Sequence, residues 1–105
     1  MKRSPVFFKD KRKWVRLEPQ DVLYVEAADN CSLLHTKDDQ HIVGRTLKQM
    51  MTQLEAFGFQ RVHRSYAVNL MAIESIDEAG LKVGGNWIPI GRKYRAELLS
   101  ELHLI

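Results

Sequence analysis

The sequence predicts a mainly β domain: short, mostly antiparallel strands in a compact multi-sheet fold, with one amphipathic helix at about 46–56 and a short C-terminal helix. Three observations carry this. Short apolar segments alternate with polar or glycine-bearing turns through most of the chain, the hydrophobic period becomes helical after Thr46, and a three-segment meander follows between residues 72 and 90. Val6-Phe7-Phe8 and Trp14-Val15-Arg16-Leu17 flank the charged stretch Lys9 to Lys13, which suits a first hairpin. Val22-Leu23-Tyr24-Val25, four consecutive β-formers between polar segments, reads as a strand buried on both faces. Ser32 to Thr36 and His41 to Val43 flank the turn-forming cluster Lys37-Asp38-Asp39-Gln40, a second hairpin.

Leu47, Met50, Met51 and Leu54 fall at i, i+3, i+4 and i+7, the stripe of an amphipathic helix. Thr46 three residues before Gln49 has the form of a capping box, and Gly58 suits the stop. From Phe59 to Asn69 the apolar pattern is broken, and the expectation is a strand followed by irregular chain. Ala72 to Ile76, Leu81 to Val83 and Trp87 to Ile90 form the meander, joined by Asp77-Glu78-Ala79-Gly80 and Gly84-Gly85-Asn86. Tyr94, Leu98, Leu102 and Ile105 then make a helical stripe behind Gly91-Arg92-Lys93. Seven or eight strands and one or two helices are expected, in one domain over 1–105.

Composition excludes several classes. Hydrophobic residues make up 45% and charged residues 28% of the 105, ordinary for a globular domain and wrong for disorder or collagen. No apolar run spans a bilayer and the start lacks a signal peptide's apolar stretch, so the chain reads as cytoplasmic, without membrane association. One cysteine, Cys31, allows no internal disulfide and agrees with a reducing compartment. The four histidines lack metal-ligand spacing and no phosphate-cradling glycine loop precedes a helix, so neither a metal nor another cofactor is expected. His63 beside Arg64 and Ser65 could imitate a hydrolase or a metal-independent nuclease. The nearest carboxylate in sequence is Glu55, however, so His63 reads as packed under a loop and bonded to backbone, and no catalytic residue is assigned.

The net charge is +3. Residues 1 to 18 hold seven Lys or Arg against two acids, and residues 19 to 60 hold three against six, so one end is basic and the middle acidic. Three basic clusters fall on expected loops: Lys9 to Lys13; Arg61, Arg64 and Ser65; and Arg92, Lys93 and Arg95. The first reads as the solvated tip of a hairpin. The last stands at a helix start, where cations oppose the helix dipole unless an anion arrives.

The segments Asp21 to Ala27, Leu34-His35-Thr36, Thr46 to Leu54, Arg61-Val62-His63-Arg64-Ser65-Tyr66-Ala67-Val68-Asn69, Ile73 to Ile76 and Ile88 to Arg92, in this order, resemble a LytTR-type DNA-binding domain, the output module of LytR/AlgR response regulators. The resemblance covers nearly the whole chain. It implies a β fold that binds double-stranded DNA through loops entering successive major grooves, with two copies, a homodimer on DNA, on direct repeats. It also implies reading loops at Asn30-Cys31-Ser32, Arg64-Ser65 and Arg92-Lys93. Regulators of this type carry a phosphorylated receiver domain, tied to a sensor kinase, ahead of the module. The chain has no room for one, so it fits an output domain, stand-alone or excised.

Chemistry distributes the roles. Arg64 and Arg92 carry planar guanidinium forks matched to guanine O6 and N7, and are the expected base readers. Asn30, Ser32, Ser65, Lys93 and Arg95 have donors suited to phosphate oxygens. Arg45 and Lys48, flanking the capped start of the middle helix, are weaker candidates for another phosphate. Ser32 is short for a base edge and suits a water-mediated contact. The alternative is a β-rich protein-interaction module anchored on Trp14 and Trp87, although two Trp in a small domain are more often core packing.

Overall fold

The computed structural model describes residues 4–105. Its elements are β1 (Val6–Asp10), β2 (Lys13–Leu17), β3 (Val22–Ala28), β4 (Cys31–Thr36), β5 (Gln40–Val43), α1 (Leu47–Leu54), β6 (Phe59–His63), β7 (Tyr66–Asn69), β8 (Ile73–Ile76), β9 (Gly80–Val83), β10 (Asn86–Pro89) and α2 (Arg92–Ser100), with single 3₁₀ turns at Pro19–Asp21, Glu55–Phe57 and Leu70–Ala72. All strand pairs are antiparallel. They make a two-stranded sheet, β1-β2, a five-stranded sheet in the order β5-β4-β3-β7-β6, and a three-stranded sheet in the order β10-β9-β8.

The five-stranded sheet is the middle layer, because its residues are divided between two cores. On one face Val22, Val25, Leu34, Phe59 and Ala67 pack with Phe8 and Leu17 of the first hairpin and with Leu47, Met50, Met51 and Leu54 of α1. On the other, Tyr24, Val62 and Val68 meet Leu81, Val83 and Ile88 of the three-stranded sheet and Leu98 of α2. A strand apolar on both faces is what a central position requires, and β3 occupies one. The helix α1 forms as its pattern predicts. The Thr46 hydroxyl accepts from the Gln49 N–H at 3.2 Å while the Gln49 side chain accepts from the Thr46 N–H at 2.9 Å, and all four stripe residues are buried. Gly58, at φ 82°, turns the chain out of the following 3₁₀ turn.

Three expectations need correction. Residues 59–69 are a hairpin, not strand then irregular chain: β7 is a strand, and its pairing with β6 slips at a bulge between Arg61 and His63, which breaks the alternation. With β7 included, the described residues form ten strands, more than the seven or eight expected. The last helix stops at Ser100, so Leu102 packs on the second core from outside it and Ile105 is exposed. Finally, Trp14 and Trp87 are 61% and 58% exposed, not core residues. Trp87 lies on the backbone of the neighbouring strand, where a Cβ on Gly80 would stand 2.5 Å from its ring, so glycine is required there. No helix among the described residues is long and apolar enough to cross a membrane.

Candidate nucleic-acid interface

Strand direction and three hydrogen bonds bring several loops to one end of the molecule. β3 turns into β4 through Asp29 and Asn30, with Asp29 at φ 53°, a left-handed conformation that Asp tolerates better than most residues. β7 runs antiparallel beside β3, and the Ala27 N–H donates to the Ser65 carbonyl at 2.9 Å, so the Arg64-Ser65 turn stands next to the Asp29-Asn30 turn. β5 ends at Val43 opposite Ser32, and the Ser32 hydroxyl donates to the Arg45 carbonyl at 2.7 Å, which holds the β5–α1 loop at the same end. The Gly91 N–H donates to the Val62 carbonyl at 2.8 Å, which ties the start of α2 to β6. Gly91 sits so close to His63 that an added Cβ would come within 3.7 Å of its Cα.

Arg64 and Arg92 therefore lie on one side of the protein, each one or two residues from that junction. Both are exposed, as are Asn30, Arg45, Lys48 and Lys93, and among the described residues the cationic side chains of Arg45, Lys48, Arg64, Arg92 and Lys93 have no hydrogen-bond or ion-pair partner. The other end of the central sheet, around the start of β3 and the β4–β5 turn, carries Glu18, Asp21, Asp38 and Asp39. Arg16, paired with Glu18 at 2.6 Å, and Lys37 offset part of that charge, and Asp29 lies among the cations of the loop end. The polarity is therefore a net one: cations are in excess at the loop end and carboxylates at the other, which favours one orientation of an approaching polyanion.

The turn that presents Arg64 is braced from below. Arg61 spends its guanidinium on it, donating from Nε to the His63 carbonyl at 3.1 Å and from Nη2 to the Arg64 carbonyl. His63 Nδ1 accepts the Ser65 N–H at 3.1 Å, so this nitrogen is unprotonated and the ring fastens the turn as its reading from sequence expected. The start of α2 is different in kind from the start of α1. Its N-cap is Gly91, which supplies no side-chain acceptor, and its first two helical residues are Arg92 and Lys93. At α1 the capping box occupies two of the terminal N–H groups, whereas at α2 no side chain competes with an anion for them.

A family model for the LytTr DNA-binding domain matches residues 12–103. The chain belongs to the LytTR family. That is a family of DNA-binding domains, not of enzymes, and the resemblance read from the sequence is confirmed with it. The chain is 30% identical over 96 residues to the sensory transduction protein LytT of Bacillus subtilis (strain 168), covering 86% of this chain and 40% of that protein. It is 28% identical over 94 residues to the sensory transduction protein LytR of Streptococcus mutans serotype c, covering 84% and 38%. It thus spans about two fifths of the length of these relatives. Among solved structures, a LytTr DNA-binding domain from Bacillus cereus superposes with a TM-score of 0.79 at 23% identity, over 98% of this chain and all of the other, and shows the same fold.

Within this LytTR domain two expected contact residues are placed otherwise. Ser32 is fully buried and its hydroxyl is committed to the Arg45 carbonyl, so it shapes the loop and does not reach a phosphate. Ser32→Ala should accordingly cost about 1 kcal/mol in chemical denaturation, by leaving a carbonyl unsatisfied, with the slope of DNA affinity against salt unchanged. Arg95 is half-buried, and its Nη1 donates to the carbonyls of Asp77 at 3.1 Å and Glu78 at 2.9 Å, clasping α2 to the β8–β9 turn. That turn is closed by the Asp77 carboxylate, which accepts the Gly80 and Ala79 N–H groups, and these bonds, with Arg95 nearby, hold its pKa below the usual value. Arg95 is a positioning residue for Arg92 and Lys93.

Behind the loops, Tyr24 stacks on His35 at 4.2 Å between ring centroids and His35 Nε2 meets Glu26 Oε1 at 2.9 Å. Burial first, and the Glu26 charge second, raise the hydroxyl pKa of Tyr24 above the ordinary 10.0; the same causes raise that of Tyr66. A raised folded pKa means that the unfolded chain ionises first. This contribution to stability is complete below about pH 10 and is lost as the pH climbs through the raised value. Urea unfolding midpoints should hold up to about pH 10 and fall as the pH rises beyond it, and Tyr66→Phe should flatten that fall.

Proposed function

We propose that this LytTR domain binds double-stranded DNA sequence-specifically by laying its loop end along one side of the duplex. Arg64 and Arg92 read base edges in the major groove, and Asn30, Ser65, Lys93 and Arg45 hold phosphates on either side, with Lys48 at the margin. The observation that carries this reading is the Gly91–Val62 hydrogen bond, which joins the two expected base readers at one junction. Scale supports it as well. Strands spaced by about 4.8 Å put about 19 Å between the outer strands of a five-stranded sheet, enough to cross a groove about 12 Å wide and the backbone that bounds it.

Two copies then occupy direct repeats as a homodimer on DNA, each presenting the same polar end. In a longer regulator the acidic end is left to face whatever precedes this module, including a receiver domain driven by a sensor kinase. Selection from a pool of random duplexes, followed by equilibrium binding of the enriched and scrambled sequences, tests the proposal. Enrichment of a repeated motif bound at least about tenfold tighter than its scramble is the expected outcome; equal affinity would remove sequence reading from this domain.

A further inference from the structure

Among the basic clusters, the tip of the first hairpin has no part in the interface above. Its residues are Lys9, Lys11, Arg12 and Lys13, all exposed, against the half-buried Asp10. The fold does not leave this tip in open solvent. Lys9, Lys11 and Trp14 line a hollow together with Val43, Gly44 and Arg45, so the tip borders the β5–α1 loop at the end of the sheet where the other cations collect. The hairpin is also held in place. Phe8 and Leu17 are buried in the first core, and the Phe8 ring lies 5.4 Å from that of His41 on β5.

Resting on the DNA-binding reading, we propose that this hairpin tip is a phosphate-contacting arm that extends the duplex footprint past β5, through Lys9 and Lys11 beside Arg45. Two details of local structure fit a contact better than a bare solvated turn. Lys11 is held at φ 56°, a left-handed conformation that Gly or Asn would adopt with less strain, and the residue used there is a cation. Lys9 is ordered by its ammonium standing 5.0 Å above the Trp14 ring, so less side-chain freedom is lost when it meets a phosphate. The occupant is the phosphodiester backbone, because flexible ammonium groups without a planar fork neutralise charge and do not read bases. The arm therefore adds affinity at the β5 side and leaves sequence preference alone.

The test compares the dependence of log affinity on log salt for the wild-type domain, the double variant Lys9→Gln/Lys11→Gln, and Lys37→Gln in the β4–β5 turn at the acidic end, all on one enriched duplex. Every phosphate left without its ammonium should flatten the slope by about 0.9, so the double variant should be flatter by about 1.8 with an unchanged order of preference among base-substituted duplexes. Lys37→Gln should keep the wild-type slope. Parallel lines for wild type and double variant, or an equal flattening by Lys37→Gln, would overturn the arm. A wild-type domain that fails to distinguish enriched from scrambled duplex would instead overturn the underlying reading.

Discussion

Replacing Arg92 by alanine should weaken binding to the preferred duplex by about 1–3 kcal/mol, roughly five- to 150-fold, and should erase discrimination at one base position. On this reading the truncation leaves two hydrogen-bond acceptors on a guanine edge without donors, and the guanidinium one turn along the helix, that of Arg95, is committed to the Asp77 and Glu78 carbonyls. Lys93→Ala, one residue on, should weaken every sequence alike because an ammonium at a phosphate carries no base information. The free domain should respond in the opposite sense. Arg92 and Lys93 occupy the first turn of α2 behind a glycine N-cap, where cations oppose the helix dipole by about 0.3–1 kcal/mol each. Thermal unfolding of Arg92→Ala should therefore be unchanged or shifted slightly upward. Weaker binding with equal or greater stability separates a contact residue from a structural one. A variant that binds with full discrimination would show that Arg92 reads nothing.

Leu98→Ala should produce the largest change in stability, about 2–5 kcal/mol. Leu98 is the fully buried residue of α2, packed in the second core with Val62, Val68 and Leu81. The other ties are weaker: the half-buried Ile90 and Leu102 flanking the helix, the Gly91–Val62 backbone bond, and the bonds from Arg95 to the carbonyls of Asp77 and Glu78. A helix of nine residues is too short to persist without its tertiary anchor. Amide exchange in α2 should rise more than in β3 or β4, and affinity for the preferred duplex should fall although Leu98 touches no DNA. Exchange rates rising uniformly across the chain would mean that α2 is not an independent element and that the loss is global.

Much of the fold was legible because local chemistry and tertiary packing agree. Thr46, Gln49 and the four stripe residues specify α1 within a single stretch of chain, and the structure forms it with both capping bonds. Val22 to Val25 announce a central strand by being apolar on both faces. The β6–β7 hairpin was not legible, since its bulge at Val62 shifts the alternation and Asn69 puts a polar residue in the core. Asn69 is satisfied there by the Val22 carbonyl, 47 positions away, at 3.0 Å, and no local pattern carries that partner. The same holds for the site. Exposed cations at 64, 92 and 93 could be picked by type, but Ser32 and Arg95 turned out to be bonded to carbonyls 13 and 17 or 18 residues distant. The tip at Lys9 and Lys11 looked like an ordinary solvated turn because its neighbour Arg45 is remote in sequence. Trp87 could be expected in the core only while its seat on the Gly80 backbone was unknown.

Backbone amide shifts, mapped while the isotope-labelled domain is titrated with an enriched duplex, locate the DNA on the protein surface. The perturbed amides should cluster at Asp29-Asn30, Gly44-Arg45, Arg64-Ser65 and Gly91 to Lys93, with the carboxylate-bearing end at Glu18 to Asp21 and Asp38-Asp39 unmoved. Perturbations centred on those carboxylates, or spread evenly over both ends, would contradict binding through the loop end.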